Sequence, residues 1–241
     1  MPSKATNCPI LHDADGLLII NKPEGVLSHP NAKSARPAGQ CAFEGPYDFD
    51  RRCFKTPEGP VWLIHRLDQD TSGILVAARG SQAAKQCRAD FEEGRVRKYY
   101  TALLTGALKP RLGEWHDFVL TERKAGRVRS RILQRSSKNA RLRYAVQNYY
   151  GTRPSLTLLR IELLTGKTHQ IRIQAASRKF PVAGDEIYGN FSLNRELRKS
   201  IGLRRLFLHA RELEIKNPET GRFLHIKAPL PEALESVLTR L

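Results

Sequence analysis

The chain has 241 residues, 40% of them hydrophobic, with 41 Lys or Arg against 24 Asp or Glu and a formal net charge of +17. That length allows a real core, and no stretch approaches the roughly 18 apolar residues of a membrane-spanning helix. Asp13 and Asp15 ahead of a short apolar run are unlike the basic flank of a secretory signal, so the expectation is a soluble, cytoplasmic protein whose surplus charge meets a polyanion, nucleic acid above all.

In chain order, residues 15–21 (DGLLIIN) read as a strand between Gly16 and the Pro23–Gly25 turn. Residues 29–60 hold Pro30, Pro37, Pro46, Pro57 and Pro60 with Gly39, Gly45 and Gly59 and little periodicity, which predicts a long loop or insertion. The apolar runs 61–64 and 74–78 predict two core strands joined by the polar HRLDQDTSG. Ser81 is placed to cap a helix running to Glu93, with Gly94 as its stop. In 96–105, Val96, Lys98, Tyr100, Ala102 and Leu104 share one face of a strand. Residues 157–164 predict another strand. Beyond Gly166, Thr168 is placed to cap a helix over 169–179, with a strand over 169–173 as the alternative, since Ile171 and Ile173 also fit a period of two. The tail predicts two strands, RLFLHARELEI and RFLHIKA, around turns at Asn217–Pro218 and Thr220–Gly221, then a helix after Pro231. The class is α+β: a central, mostly antiparallel mixed sheet flanked by helices, in a single domain over 1–241.

Basic charge is concentrated. Residues 121–143 contain nine Lys or Arg and one Glu, and at strand spacing Arg127, Arg129 and Arg131 share one face. A second cluster comprises Arg195, Arg198, Lys199, Arg204, Arg205 and Arg211. Two such segments are suited to the walls of a groove that follows a phosphate backbone; the alternative is two solvated surfaces. Cys8, Cys41, Cys53 and Cys87 form no CxxC pair and read as plain thiols.

The loop His65-Arg66-Leu67-Asp68-Gln69-Asp70-Thr71-Ser72-Gly73 is the segment best placed for chemistry, because two apolar strands deliver it to one edge of a sheet. Taken alone its residues allow a bland reading, in which Asp68 pairs with Arg66 or caps the turn. A metal site from His65, Asp68 and Asp70 lacks further ligands nearby, and Ser72 has no base beside it in sequence.

HRLDQDTSG resembles the active-site signature of RNA pseudouridine synthases of the RluA type, with Asp68 at the catalytic position. Further segments agree in the family's order. Asn21-Lys22-Pro23-Glu24-Gly25 resembles its NKPxG stretch, and Lys98-Tyr99-Tyr100-Thr101-Ala102 its KxYxA segment. Leu164–Arg172 resembles its TGRTHQIR segment, and Gly184-Asp185-Glu186-Ile187-Tyr188-Gly189 its GDxxYG, with a weaker match at Phe207-Leu208-His209-Ala210. Lys167 departs from the usual Arg, keeping the charge and losing a bidentate fork. Because the NKPEG segment already begins at residue 21, the small N-terminal RNA-binding domain common in the family is expected to be absent.

The resemblance implies the pseudouridine synthase fold and the isomerisation of uridine within ribosomal or transfer RNA to pseudouridine. It implies no cofactor, no metal, no obligatory protein partner, a monomer, and a target base flipped out of its stack. Asp68 is then the catalytic carboxylate, Arg172 its guanidinium partner and Tyr100 the ring that stacks on uracil and serves proton transfer. His65, Arg66, Lys98, Lys167, His169 and Gln170 are the expected RNA contacts, together with Arg127, Arg129 and Arg131.

Overall fold

The computed structural model describes residues 6–30, 40–124 and 127–241, with side chains described outside 123–127. In chain order the elements begin with β1 (Ile10–Ala14), β2 (Leu17–Lys22), β3 (Tyr47–Asp48), β4 (Cys53–Thr56), β5 (Gly59–Leu63), β6 (Ser72–Ala78) and α1 (Ser81–Glu92). There follow β7 (Arg97–Thr105), β8 (Leu112–Lys124), β9 (Arg127–Leu133), β10 (Ala140–Tyr150) and β11 (Leu156–Leu163). The remainder is α2 (Gln170–Ser177), α3 (Phe191–Ser200), β12 (Leu208–Lys216), β13 (Phe223–Lys227) and α4 (Glu232–Thr239). The fold is α+β, with antiparallel strand pairing throughout the described ladders. No helix among the described residues is long and apolar enough to cross a membrane. Two compact units emerge, residues 1–97 with 210–229 and residues 98–209 with 230–241.

In the first unit β3, β4, β5 and β6 run as an antiparallel meander, and β2 lies along β6 with Leu17 opposite Ala78 and Lys22 opposite Gly73. Leu17 to Ile20 are all fully buried, so this strand is covered on both faces and its apolar run is continuous instead of alternating. Leu17, Ile19, Ile74 and Val76 pack with Ala83, Ala84 and Cys87 of α1 and with Leu213 and Ile215 of β12. Each large aliphatic buried this way contributes on the order of 1.5–3 kcal/mol. The N-cap of α1 is Gly80, one residue before the expected Ser81. Gly73 sits at φ 114 with its Cα against the Ala210 backbone, where a side chain would collide.

Of the long loop or insertion expected over 29–60, the latter part is not loop throughout: it forms β3, β4 and the start of β5. A small aromatic cluster explains this. Phe54 and Phe43 are fully buried, and Tyr47 packs on Phe54 with ring centroids 4.7 Å apart. Residues 31–39 lie outside the described residues.

In the second unit the strand order is β7–β11–β10–β8–β9, all antiparallel. The sequence reading does not anticipate β8 or β10. Ala140, Leu142, Tyr144 and Val146 of β10 point inward while Arg141 and Arg143 point out, a half-buried strand masked by its arginines. The core here joins Leu103, Leu156, Leu158, Leu197, Leu203 and Phe207 to Leu234 and Val237 of α4. Over 169–173 the helix holds and the strand alternative fails, but the N-cap is His169, at φ 55, and not Thr168.

Candidate active site

In the first unit the HRLDQDTSG loop is pinned by the NKPEG segment. Lys22 is fully buried, and its Nζ donates to the carbonyls of Pro23, Val26 and Gln69 at 2.8, 2.8 and 3.1 Å. An ammonium has three donors and no acceptor, so this buried lysine is a hub that fixes three backbone points. The Gly25 N–H donates to the Gln69 carbonyl, and Gln69 Nε2 returns a bond to the Gly25 carbonyl. Ser28 Oγ both accepts from the Leu67 N–H and donates to the Leu67 carbonyl. The Thr71 N–H closes the turn on the Asp68 carbonyl at 3.1 Å. Residues on both sides of Asp68 are therefore held by backbone bonds, and its own side chain is half-buried. Arg66 is exposed. His65 stacks on Phe91, and its Nε2 accepts from the Val76 N–H at 3.1 Å, so it holds the loop's base.

The second unit carries the remaining expected residues. Tyr100 lies in β7 opposite Ile161 and is 7% exposed. Lys98 is buried two residues before it, which pushes its ammonium below the ordinary value. The neighbouring Tyr99 has the Arg160 guanidinium over its ring at 3.7 Å.

The 164–172 segment is shaped by Gln170. Its buried amide accepts from Thr165 Oγ1 and the Lys167 N–H and donates to the Arg141 carbonyl. Gln170 thus clamps the turn, leaving Lys167 exposed. Arg172 is 2% exposed and forks on Asp185, with Nε to Oδ2 at 2.7 Å and Nη2 to Oδ1 at 2.9 Å. Burial alone would raise the Asp185 carboxyl. The bonds and charge of Arg172, with the N–H groups of Tyr188 and Ile187, outweigh it and hold the group below the ordinary carboxylate value. Asp185 takes two of the five guanidinium donors. Gly184, at φ 78, lies so close to the Arg205 carbonyl that a side chain would not fit.

Three residues not expected as site residues tie this centre to the basic hairpin. The Tyr188 hydroxyl accepts from the Ser130 N–H at 2.7 Å and meets His169 Nδ1 at 2.8 Å. The Arg172 guanidinium lies 5.4 Å from the centre of the Tyr188 ring. Ser130 Oγ donates to the Thr168 carbonyl at 2.7 Å. Asp185, Tyr188 and Ser130 had only one sequence signal, the GDEIYG segment that contains the first two.

Arg129 and Arg131 are exposed on the face of β9 opposite Ser130, and Arg131 pairs with Glu122 at 2.8 Å. The side chain of Arg127 lies outside the described residues. The basic run does not act as one surface, because Arg141 and Arg143 turn to Glu114 at 2.7 and 3.4 Å. Among the described residues no group of three His, Cys, Asp or Glu side chains is arranged to hold a metal.

The profile of the RNA pseudouridylate synthase family matches residues 16–177, and the chain belongs to that family, whose members isomerise uridine to pseudouridine. Its relatives include a protein named ribosomal large subunit pseudouridine synthase C from Escherichia coli. That protein is 32% identical over 241 residues, covering 96% of this chain and 69% of the relative. The Haemophilus ducreyi protein of the same name is 29% identical, covering 96% and 68%. Among solved structures, human RNA pseudouridylate synthase domain containing 4 superposes with a TM-score of 0.71 at 24% identity, over 96% of this chain and 92% of that one, a likeness of fold.

Proposed function

We propose that this enzyme converts a uridine of large-subunit ribosomal RNA to pseudouridine, with Asp68 as the catalytic carboxylate. The observation that carries the assignment of Asp68 is the pinned loop. Lys22, Gly25 and Ser28 fix the backbone at Leu67 and Gln69, so the residue between them is held before substrate arrives. The reaction breaks the bond from uracil N1 to the anomeric carbon and forms one from C5 to the same carbon, while the proton on C5 is lost and N1 gains one. No electrons are exchanged with an outside group, so the chemistry requires no redox cofactor. A carboxylate supports glycosidic cleavage as nucleophile or as proton acceptor. The family's segments assign to Arg172 the role of a site guanidinium, here forked on Asp185, and to Tyr100 the ring for uracil and the phenol for proton transfer. Ribosomal RNA is favoured over transfer RNA by the names of the relatives.

The test is release of tritium from uridine C5 in unmodified large-subunit ribosomal RNA, beside a binding titration. Asp68→Asn should abolish turnover and leave affinity within about threefold, because phosphate contacts made elsewhere dominate binding. Turnover by Asp68→Asn within tenfold of the wild-type rate would remove Asp68 from the chemistry.

A further inference from the structure

Helix α3 carries an aromatic and three cations on one exposed arc. At 100° per residue, Phe191, Arg195, Arg198 and Lys199 fall within about 100° of one another, while Leu193, Asn194 and Leu197 form the opposite, inward side. The burial agrees: Leu197 is 2% exposed and Phe191 is 82% exposed. Glu196 is the single acid of the helix and lies off this arc. Among the described residues Arg195, Arg198 and Lys199 are in no ion pair. Arg204, also exposed, follows the helix.

A phenylalanine left this bare costs solubility, and three uncompensated cations beside it repel one another. Both features fit a ligand with flat apolar faces and regularly spaced negative charge. Protein surfaces that grip unpaired nucleotides combine the same two elements, an aromatic ring under a base and cations along the backbone. The helix is also anchored to the Arg172 centre. Asn194 Oδ1 accepts from the Gly184 N–H at 3.0 Å, and its Nδ2 donates to the Asp185 carbonyl at 2.9 Å. Asn190 caps the helix by accepting from the Leu193 N–H. The arc is thus held rigidly relative to the residue pair that orients Arg172.

We propose that α3 is an RNA-docking surface, in which Phe191 stacks on an unpaired base near the target uridine while Arg195, Arg198 and Lys199 hold its flanking phosphates. This rests on the pseudouridine synthase reading and adds to it a determinant of which RNA segment is accepted. The ring requires an unstacked base, so the preferred substrate presents its uridine in a loop or bulge and not in an uninterrupted duplex.

Two variants test it, Phe191→Ala and the triple change Arg195→Gln, Arg198→Gln and Lys199→Gln. All four positions are exposed and glutamine is a good helix former, so circular dichroism should stay native. The probes are a 12-nucleotide single-stranded RNA and unmodified large-subunit ribosomal RNA. For Phe191→Ala, affinity for the oligonucleotide should fall about 5- to 150-fold, the loss of one base–aromatic stack, and Phe191→Trp should restore it. With ribosomal RNA the loss should fall on KM. For the triple variant, the slope of log affinity against log salt should flatten by about 0.7 for each phosphate the variant no longer neutralises. Unchanged affinity in Phe191→Ala and an unchanged slope in the triple variant, with wild type still active, would overturn the α3 assignment alone and would be the outcome if the arc docks a protein. A wild-type enzyme that releases no tritium from any RNA would instead overturn the functional reading beneath it.

Discussion

Arg172 and Asp185 are both withdrawn from water, and a buried ion pair is judged by what happens when one partner is removed. Asp185→Asn removes the carboxylate from this buried fork and should destabilise the protein by about 3–5 kcal/mol, read from urea denaturation at pH 7. Because the folded carboxyl lies below its ordinary value, its contribution is present in full at neutral pH and fades as pH falls below about 4. The gap between wild type and variant should therefore narrow on acidification and persist at alkaline pH. At Tyr188 the hydroxyl is the acceptor for a buried backbone N–H and the partner of His169, whose left-handed backbone is uncommon for a residue with a side chain. Tyr188→Phe should cost about 1–3 kcal/mol of stability through the unsatisfied Ser130 N–H. It should also lower kcat about tenfold or more at temperatures where the variant is fully folded, with KM little changed, since His169, which opens the helix that carries Arg172, loses its hydroxyl partner while the ring beside Arg172 stays. Equal kcat values for the two proteins would reduce Tyr188 to a purely structural residue.

At the scale of elements, the β8–β9 hairpin is two-sided. Its inner face places Ser130 on Tyr188 and Thr168, and its outer face presents Arg129 and Arg131. A ribbon braced this way keeps its outer cations in a fixed position, which favours phosphate contact over a free, solvated surface. Changing Arg129 and Arg131 together to Gln should weaken binding to all RNAs alike and flatten the salt slope by about 0.7 to 0.9 for each phosphate left without its cation. Arg131 already has Glu122 as a partner, so Arg129→Gln alone should account for the larger share. A salt series for the double and single variants, with circular dichroism as the control, measures this, and slopes equal to wild type would place the hairpin outside the RNA interface.

Across the whole molecule the +17 charge is not a uniform coat. Many arginines are spent on the protein's own acids, including Arg79 on Asp13, Arg95 on Asp90, Arg141 on Glu114 and Arg178 on Asp117. Within the second unit Arg141 and Arg143 are paired, whereas the cations of α3 are in no ion pair among the described residues. A charged macromolecule feels the net field at long range, which speeds encounter, but only cations without internal partners are left to displace counterions at contact. The expected second basic cluster also divides on this ground, because Arg211 donates to the Ala228 carbonyl in the first unit while Arg195, Arg198 and Lys199 lie on α3 in the second.

The amino-acid sequence by itself determined the partner class, through an excess of cations no fold requires, and the family, through motif segments in one order from Asn21 to Ala210. It also determined the elements whose signal is local: β2 and β6 by their apolar runs, α1 by its run from Ser81 to the Gly94 stop, and β7 by its alternation. Tertiary structure decided whatever depended on a distant partner. Arg172 meets Asp185 thirteen residues away, and Ser130 meets Tyr188 fifty-eight residues away. β10 is a strand because its alternate residues fill a core built by β8 and β11, though its arginines disguise the pattern. The Pro-rich 29–60 segment gained strands from rings that pack only once the chain has folded back. Local preference is set by a residue and its near neighbours, whereas a buried charge or a half-apolar strand is settled by what burial brings against it, and that is a property of the fold.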